Sequence, residues 1–348
     1  MVVDPGRRPA GLLDPANAVS AGAAGAAVPA APQRQTAGAA RNRVSRLVRL
    51  LPPADFRQVL IGYRRGLRTS PAIEAHLAGA VGDLLGSPGT LVRAQLAYGV
   101  GRALGLEVAA ARAIAVAVEY LHTASLVFDD LPAMDDARER RGRPCPHVLY
   151  GEGAAILAGL ALVHRAHALV AEAGRGLPDE CERRAWLRLE ENVGLAGILD
   201  GQARDLHFRA DRDPSAIAAG KTTPLLRLAL LLPAAFAGAT PELETALDRL
   251  AAAWGRSYQA LDDFRDLLES DRQSGKTGRR DALLGRPNLV RAIGPDQALA
   301  ALARELGDAA LEVVGLARLG ELAVPLARFT HLLEDESARI SGQLAVRG

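Results

Sequence analysis

The chain has 348 residues, of which 49% are hydrophobic and 24% charged, with a formal net charge of +2. That length allows one large domain or two medium ones with a sizeable core, and the charge is too small for a general nucleic-acid binder. The two cysteines, Cys145 and Cys181, exclude a disulfide framework or a zinc ribbon, which points to a reducing, cytoplasmic setting.

Residues 1–48 are rich in Ala, Gly, Pro and Arg without helical or strand periodicity ("AVSAGAAGAAVPAAPQRQTAGAARNR"), which predicts a disordered low-complexity tail. This segment lacks the basic start and continuous apolar run of a signal peptide. From residue 49 to 348 helix signals dominate. Apolar spacing predicts helices at about 54–69, 71–85, 90–104, 106–130, 152–173, 178–209, 213–237, 240–270, 296–317 and 320–344. Gly and Pro punctuation separates them.

The segment "AIAVAVEYLHTASLVF" (113–128) is apolar around most of its circumference and should be buried centrally. The longest apolar run, 224–239, is too short for a membrane span and carries Arg227 and Pro233, so stable membrane insertion is not expected. The expected fold is one all-α bundle with a buried centre.

The stretch "DDLPAMDDARERRGRP" (129–144) carries four carboxylates within eight residues and then four arginines within seven. A second cluster, "YQALDDFRDLLES", places Asp262 and Asp266 one helical turn apart with Asp263 beside them. Either cluster alone fits a solvated helix face. Two clusters, each near the end of a long apolar helix, instead suggest hard oxygen ligands for Mg²⁺, which takes one or two carboxylates and completes its shell with substrate phosphates. Pro132 should end the first helix and let Asp129, Asp130 and Asp135 turn toward a common point.

Lysine is rare. Of 42 basic residues only Lys221 and Lys276 are lysine. Codon bias explains the excess of arginine. The two surviving lysines lie in "AAGKTTPLLRLAL" and "SGKTGRRD", where an ammonium beside a helix N-terminus suits a diphosphate.

In order, the segments 121–162, "GQARDL" (201–206), "KTTPLLRLA" (221–229), "YQALDDFRD" (258–266), "GKTGRRD" (275–281) and "GRPNLV" (285–290) resemble trans-isoprenyl diphosphate synthases. The likeness is nearest to the bacterial geranylgeranyl diphosphate synthases of carotenoid pathways and covers about residues 55–340. It implies a helical isoprenoid-synthase bundle around a central apolar cavity. Asp129, Asp130 and Asp135 on one wall and Asp262, Asp263 and Asp266 on the other would hold about three Mg²⁺ on an allylic diphosphate. Arg140, Lys221, Gln259 and Lys276 would contact or support that diphosphate, and Arg93, His122 and Arg141 would receive isopentenyl diphosphate.

Leu121, Ala124 and Ser125 would line the hydrocarbon channel, Ala124 about 7 Å below the metal site at 1.5 Å per residue. In the family a bulky aromatic at the position of Ala124 limits the product to farnesyl length; alanine leaves room for a geranylgeranyl chain. A homodimer is implied as well.

The sequence departs from the family at the acceptor site. The usual Gly-Lys-Arg-x-Arg-Pro is replaced by "PGTLVRAQ" (88–95), with Thr90 and Leu91 where two cations are expected. Each charge-assisted contact is worth about 1.5–3 kcal/mol. Three readings follow: a prenyl diphosphate synthase with a relaxed acceptor site, a synthase-like terpene cyclase or lyase that needs no isopentenyl diphosphate, and a non-catalytic partner subunit, against which the two complete acid clusters argue.

Overall fold

The computed structural model describes residues 49–207, 214–270 and 288–346. The expected tail and Lys276 lie outside the described residues. The elements are α1 (Pro53–Arg65), α2 (Ala75–Gly86), α3 (Val92–Ala103), α4 (Val108–Asp129), a two-stranded hairpin β1 (Glu139–Arg140) and β2 (Arg143–Pro144), α5 (Pro146–Tyr150), α6 (Glu152–Gly174), α7 (Asp179–Val193), α8 (Asp200–Leu206), α9 (Pro214–Phe236), α10 (Pro241–Ser270), α11 (Leu289–Ile293), α12 (Pro295–Leu316) and α13 (Ala323–Ala345).

Helix α4 is the axis of the bundle. Residues 114–121 are buried without interruption, so every face of the helix is covered. It packs on α6, α3, α1 and α9, and α9 packs in turn on α10 and α7. Both α4 and α6 are long and apolar enough for a membrane span; in α4 that length makes the core of the bundle. Trp254 on α10 meets Phe329 on α13 edge to face at 4.7 Å and donates to Thr330 at 3.1 Å, which fixes the C-terminal helix.

The expected helices are present, with informative departures. The first ends at Arg65, and the second starts only at Ala75, because Glu74 caps it by accepting from the His76 and Leu77 N–H groups, both at 3.0 Å. The long helix expected over 178–209 is broken. A π-helical segment at Leu195–Leu199, with Gly197 at non-helical dihedrals, separates α7 from α8. The hairpin was not expected from the charge pattern. Arg141 and Gly142, at φ 56° and 74°, make its two-residue turn. Helices α5 and α11 are too short to show a period.

One close approach sets the site. Pro224 has no N–H to give the carbonyl of Gly220, four residues earlier in α9. Gly201 of α8 rests against that carbonyl, so closely that a Cβ at 201 would lie 2.2 Å from the Gly220 oxygen. Gly201→Ala must therefore push α8 away from α9, and an overpacked contact of this kind costs about 1–3 kcal/mol. The expected outcome is a melting temperature lowered by several degrees together with a larger loss of activity, since the site described below spans this contact.

Candidate active site

A cleft of about 650 Å³ opens between the C-terminal end of α4, the hairpin, α8, α9 and α10. Six carboxylates line it (Asp129, Asp135, Asp205, Asp262, Asp263 and Asp266), and six cations, including Arg93, Arg140, Arg141 and Lys221, face them. Leu126, Phe128, Met134, Ile198, Leu199 and Leu225 supply apolar wall.

On the α4 side, Asp129 ends the helix and Lys221 approaches it at 3.7 Å while bonding Asp205 at 3.1 Å. Burial, with Asp135 and Asp130 nearby, pushes the Asp129 carboxyl up to about 6 despite Lys221. Burial opposes the charge on Lys221, but Asp129 and Asp205 outweigh it and hold its pKa above the usual lysine value.

Asp130, expected beside Asp129 as a metal ligand, is buried and is not among the residues that line the cleft. Both its oxygens are taken by Arg140, at 2.7–3.0 Å through Nε and Nη2. The hairpin brings Arg140 back over the helix end, so Asp130 anchors the guanidinium and Arg140 faces the cleft.

On the facing wall, α10 presents Tyr258, Gln259, Asp262, Asp263 and Asp266. Thr222 donates to the Gln259 Oε1 at 3.0 Å, Gln259 Nε2 donates to Asp263 at 2.9 Å, and the Leu289 N–H donates to the other Asp263 oxygen at 2.7 Å. This chain ties α9, α10 and α11 together. Burial lifts Asp263 to about 6 against those two hydrogen bonds, and it raises Asp262 as well, although Arg265 is bonded to it. Arg265 is itself fixed by Glu336 of α13 at 2.9 Å.

The third corner holds Arg93, His122 and Arg141. Arg93 Nη1 lies 3.2 Å from His122 Nε2, its guanidinium sits 5.9 Å from the Tyr258 ring centroid, and its Nε is buried without a hydrogen-bond partner among the described residues. Burial and then Arg93, Arg141 and Arg140 depress His122 well below the usual histidine range, so it is neutral and accepts from Arg93 through Nε2. Arg141 packs over Gly89, where a Cβ would come within 2.1 Å of Nη1. Leu91 is 1% exposed and belongs to the core, and the Thr90 carbonyl accepts from Gln95 at 2.9 Å. Neither contributes a charge to the cleft.

Of the side chains expected along the hydrocarbon path, Ser125 lines the cleft, whereas Leu121 and Ala124 are packed into the core at 4% and 1% exposure. Asp205 and Gln202 were not singled out, although "GQARDL" contains both. Lys221 marks Asp205 as part of the site.

The donor set suits Mg²⁺. The cleft carboxylates are hard oxygen donors, Asp129 and Asp135 at and just after the end of α4, Asp205 on α8 and Asp262, Asp263 and Asp266 on α10, with cations placed for a phosphate among them. Among the described residues no three of these side chains converge closely enough to hold an ion by themselves.

The profile of the family described as polyprenyl synthetase matches residues 74–305. A geranylgeranyl diphosphate synthase of Pseudescherichia vulneris is 38% identical over 200 residues, which cover 56% of this chain and 63% of that protein. One of Pantoea ananas is 37% identical over 216 residues, 60% of this chain and 69% of that protein. The aligned part thus spans somewhat under two thirds of the first relative. A solved geranyltransferase of Helicobacter pylori, complexed with magnesium and isoprenyl diphosphate, matches with a TM-score of 0.69 at 24% identity, over 81% of this chain and 95% of that one. That last likeness is one of fold.

Proposed function

The chain belongs to the polyprenyl synthetase family, and from that premise we propose that it is a Mg²⁺-dependent prenyltransferase. It condenses an allylic diphosphate with isopentenyl diphosphate into a longer prenyl diphosphate of geranylgeranyl length. The observation that carries this reading is the convergence of two aspartate-bearing helices and several cations on one cleft with apolar walls. The geranylgeranyl diphosphate synthases similar to it support the product class.

Asp129, Asp135, Asp262 and Asp266, with Asp263 behind them, would hold the Mg²⁺, which when bound supplies positive charge to the departing diphosphate. Lys221 and Arg140 bind that diphosphate as well. Arg140 is pre-oriented by Asp130, so little reorganisation is needed as charge develops. Leu126, Phe128, Ile198 and Leu225 keep water from the allylic cation left when the C–O bond breaks. Arg93 and Arg141 hold the acceptor diphosphate so that the isopentenyl double bond attacks that cation; loss of a proton from the resulting carbocation to the released diphosphate restores a double bond. No side-chain nucleophile is required.

Leu157 and Leu160 on α6, 53% and 52% exposed, give that helix apolar surface that a second copy would cover, which supports a homodimer.

The test uses labelled isopentenyl diphosphate with farnesyl diphosphate. Label is expected in a longer prenyl diphosphate, lost with EDTA and restored by Mg²⁺. Incorporation that persists after metal is stripped would sink the metal assignment. A second reading, a lyase that ionises one prenyl diphosphate without an acceptor, is favoured by the burial of Leu91, which leaves the acceptor corner two cations short of the family pattern.

A further inference from the structure

Glu119 lies in the middle of α4 at 4% exposure, and none of the steps above uses it. A carboxylate buried so completely is costly unless charges and hydrogen bonds offset its lost hydration. Its Oε2 accepts the backbone N–H of Ala94 at 3.1 Å. Ala94 is the third residue of α3, and the preceding N-cap, Leu91, has a left-handed φ of 55° and a side chain that cannot cap. The first N–H groups of a helix lack internal partners and favour a carboxylate. Glu119 therefore supplies from α4 the cap that α3 lacks.

Burial raises the Glu119 pKa above the usual carboxylate value, and Arg93, the Ala94 N–H and Arg141 on the hairpin oppose that rise by favouring the ionised form. Arg93 in turn meets His122, three residues after Glu119. One buried carboxyl group is thus tied through Ala94 to the start of α3, where Arg93 and His122 of the acceptor corner meet.

From this geometry we infer that Glu119 is a positioning residue for the acceptor diphosphate. By capping α3 it fixes where Arg93, the residue before Ala94, leaves the helix at the edge of the cleft. The inference rests on the proposed elongation reaction. Two effects oppose each other: when ionised Glu119 repels a diphosphate, and as the cap of α3 it places Arg93, which binds one. With Thr90 and Leu91 in the adjoining loop few cations remain, so the placement of each matters more than the distant repulsion.

Glu119→Gln keeps the volume and an oxygen for the Ala94 N–H but removes the charge. The expected result is a Kd and a KM for isopentenyl diphosphate raised about tenfold, with kcat and the KM for farnesyl diphosphate changed by no more than about twofold. In an Arg93→Gln background the same substitution should add little, because it acts through Arg93. Should Glu119→Gln not fold, Glu119→Asp, which retains the charge but withdraws it, should raise the same constant by a smaller factor.

An acceptor constant that is unchanged or falls, or a loss shared equally by both substrates, overturns the inference. Wild-type protein that binds no isopentenyl diphosphate in direct titration sinks the elongation reading and this inference with it. Wild-type binding that Glu119→Gln leaves intact sinks the inference alone.

Discussion

Asp129→Asn is expected to reduce turnover about a thousandfold while raising the melting temperature of the metal-free protein. The two effects have one cause. A carboxyl held at about 6 against an ordinary value of 3.8 binds its proton more tightly in the folded chain than in the unfolded one. At pH 7.5 the ionised group therefore opposes folding, by up to about 3 kcal/mol at 1.36 kcal/mol per pKa unit. This penalty diminishes as the pH falls from about 6 toward 4, where the folded state takes up the proton first. Asparagine removes it, and Lys221 keeps Asp205 as its partner at 3.1 Å.

A gain of roughly 2–6 °C at pH 7.5, shrinking at pH 5, is the result to look for in thermal melts without metal. A variant that is inactive but less stable at both pH values would show that Asp129 is a structural partner of Lys221 and not a charge kept for a ligand. Stability given up at a functional site in this way is a common trade.

Arg93→Gln is expected to raise the KM for isopentenyl diphosphate between about 10- and 150-fold, the equivalent of a lost charge-assisted contact of 1.5–3 kcal/mol. The KM for the allylic substrate should change little. The buried Arg93 Nε has no hydrogen-bond partner among the described residues, and the guanidinium lines the cleft. Because Thr90 and Leu91 bring no charge, Arg93 carries a larger share of acceptor binding here than it would beside two further cations. Steady-state kinetics with each substrate varied in turn decides it. An equal loss for both substrates would place Arg93 with the allylic diphosphate.

Much of this site can be read from residue order because charge on an apolar helix is conspicuous. Asp129 and Asp262 stand out since the helices that carry them are otherwise built for the interior, and Lys221 stands out against 40 arginines. What cannot be read that way depends on contacts between distant segments. Asp129 and Asp130 are chemically alike and adjacent; only the hairpin that returns Arg140 separates a cleft carboxylate from an anchoring one.

Helical spacing places Leu121, Ala124 and Ser125 on nearby faces, but packing by neighbouring helices buries the first two and leaves Ser125 on the cleft. Gly201 looks like an ordinary helix glycine until Pro224 frees the carbonyl against which it rests. Glu119 resembles a misplaced charge in an apolar helix until the start of α3 is found beside it.

The most direct test of the account incubates the purified chain with Mg²⁺ and farnesyl diphosphate, with and without isopentenyl diphosphate, and identifies every product. The account predicts geranylgeranyl diphosphate when the acceptor is present and unconsumed farnesyl diphosphate when it is absent. A hydrocarbon or alcohol formed equally well without the acceptor would contradict it.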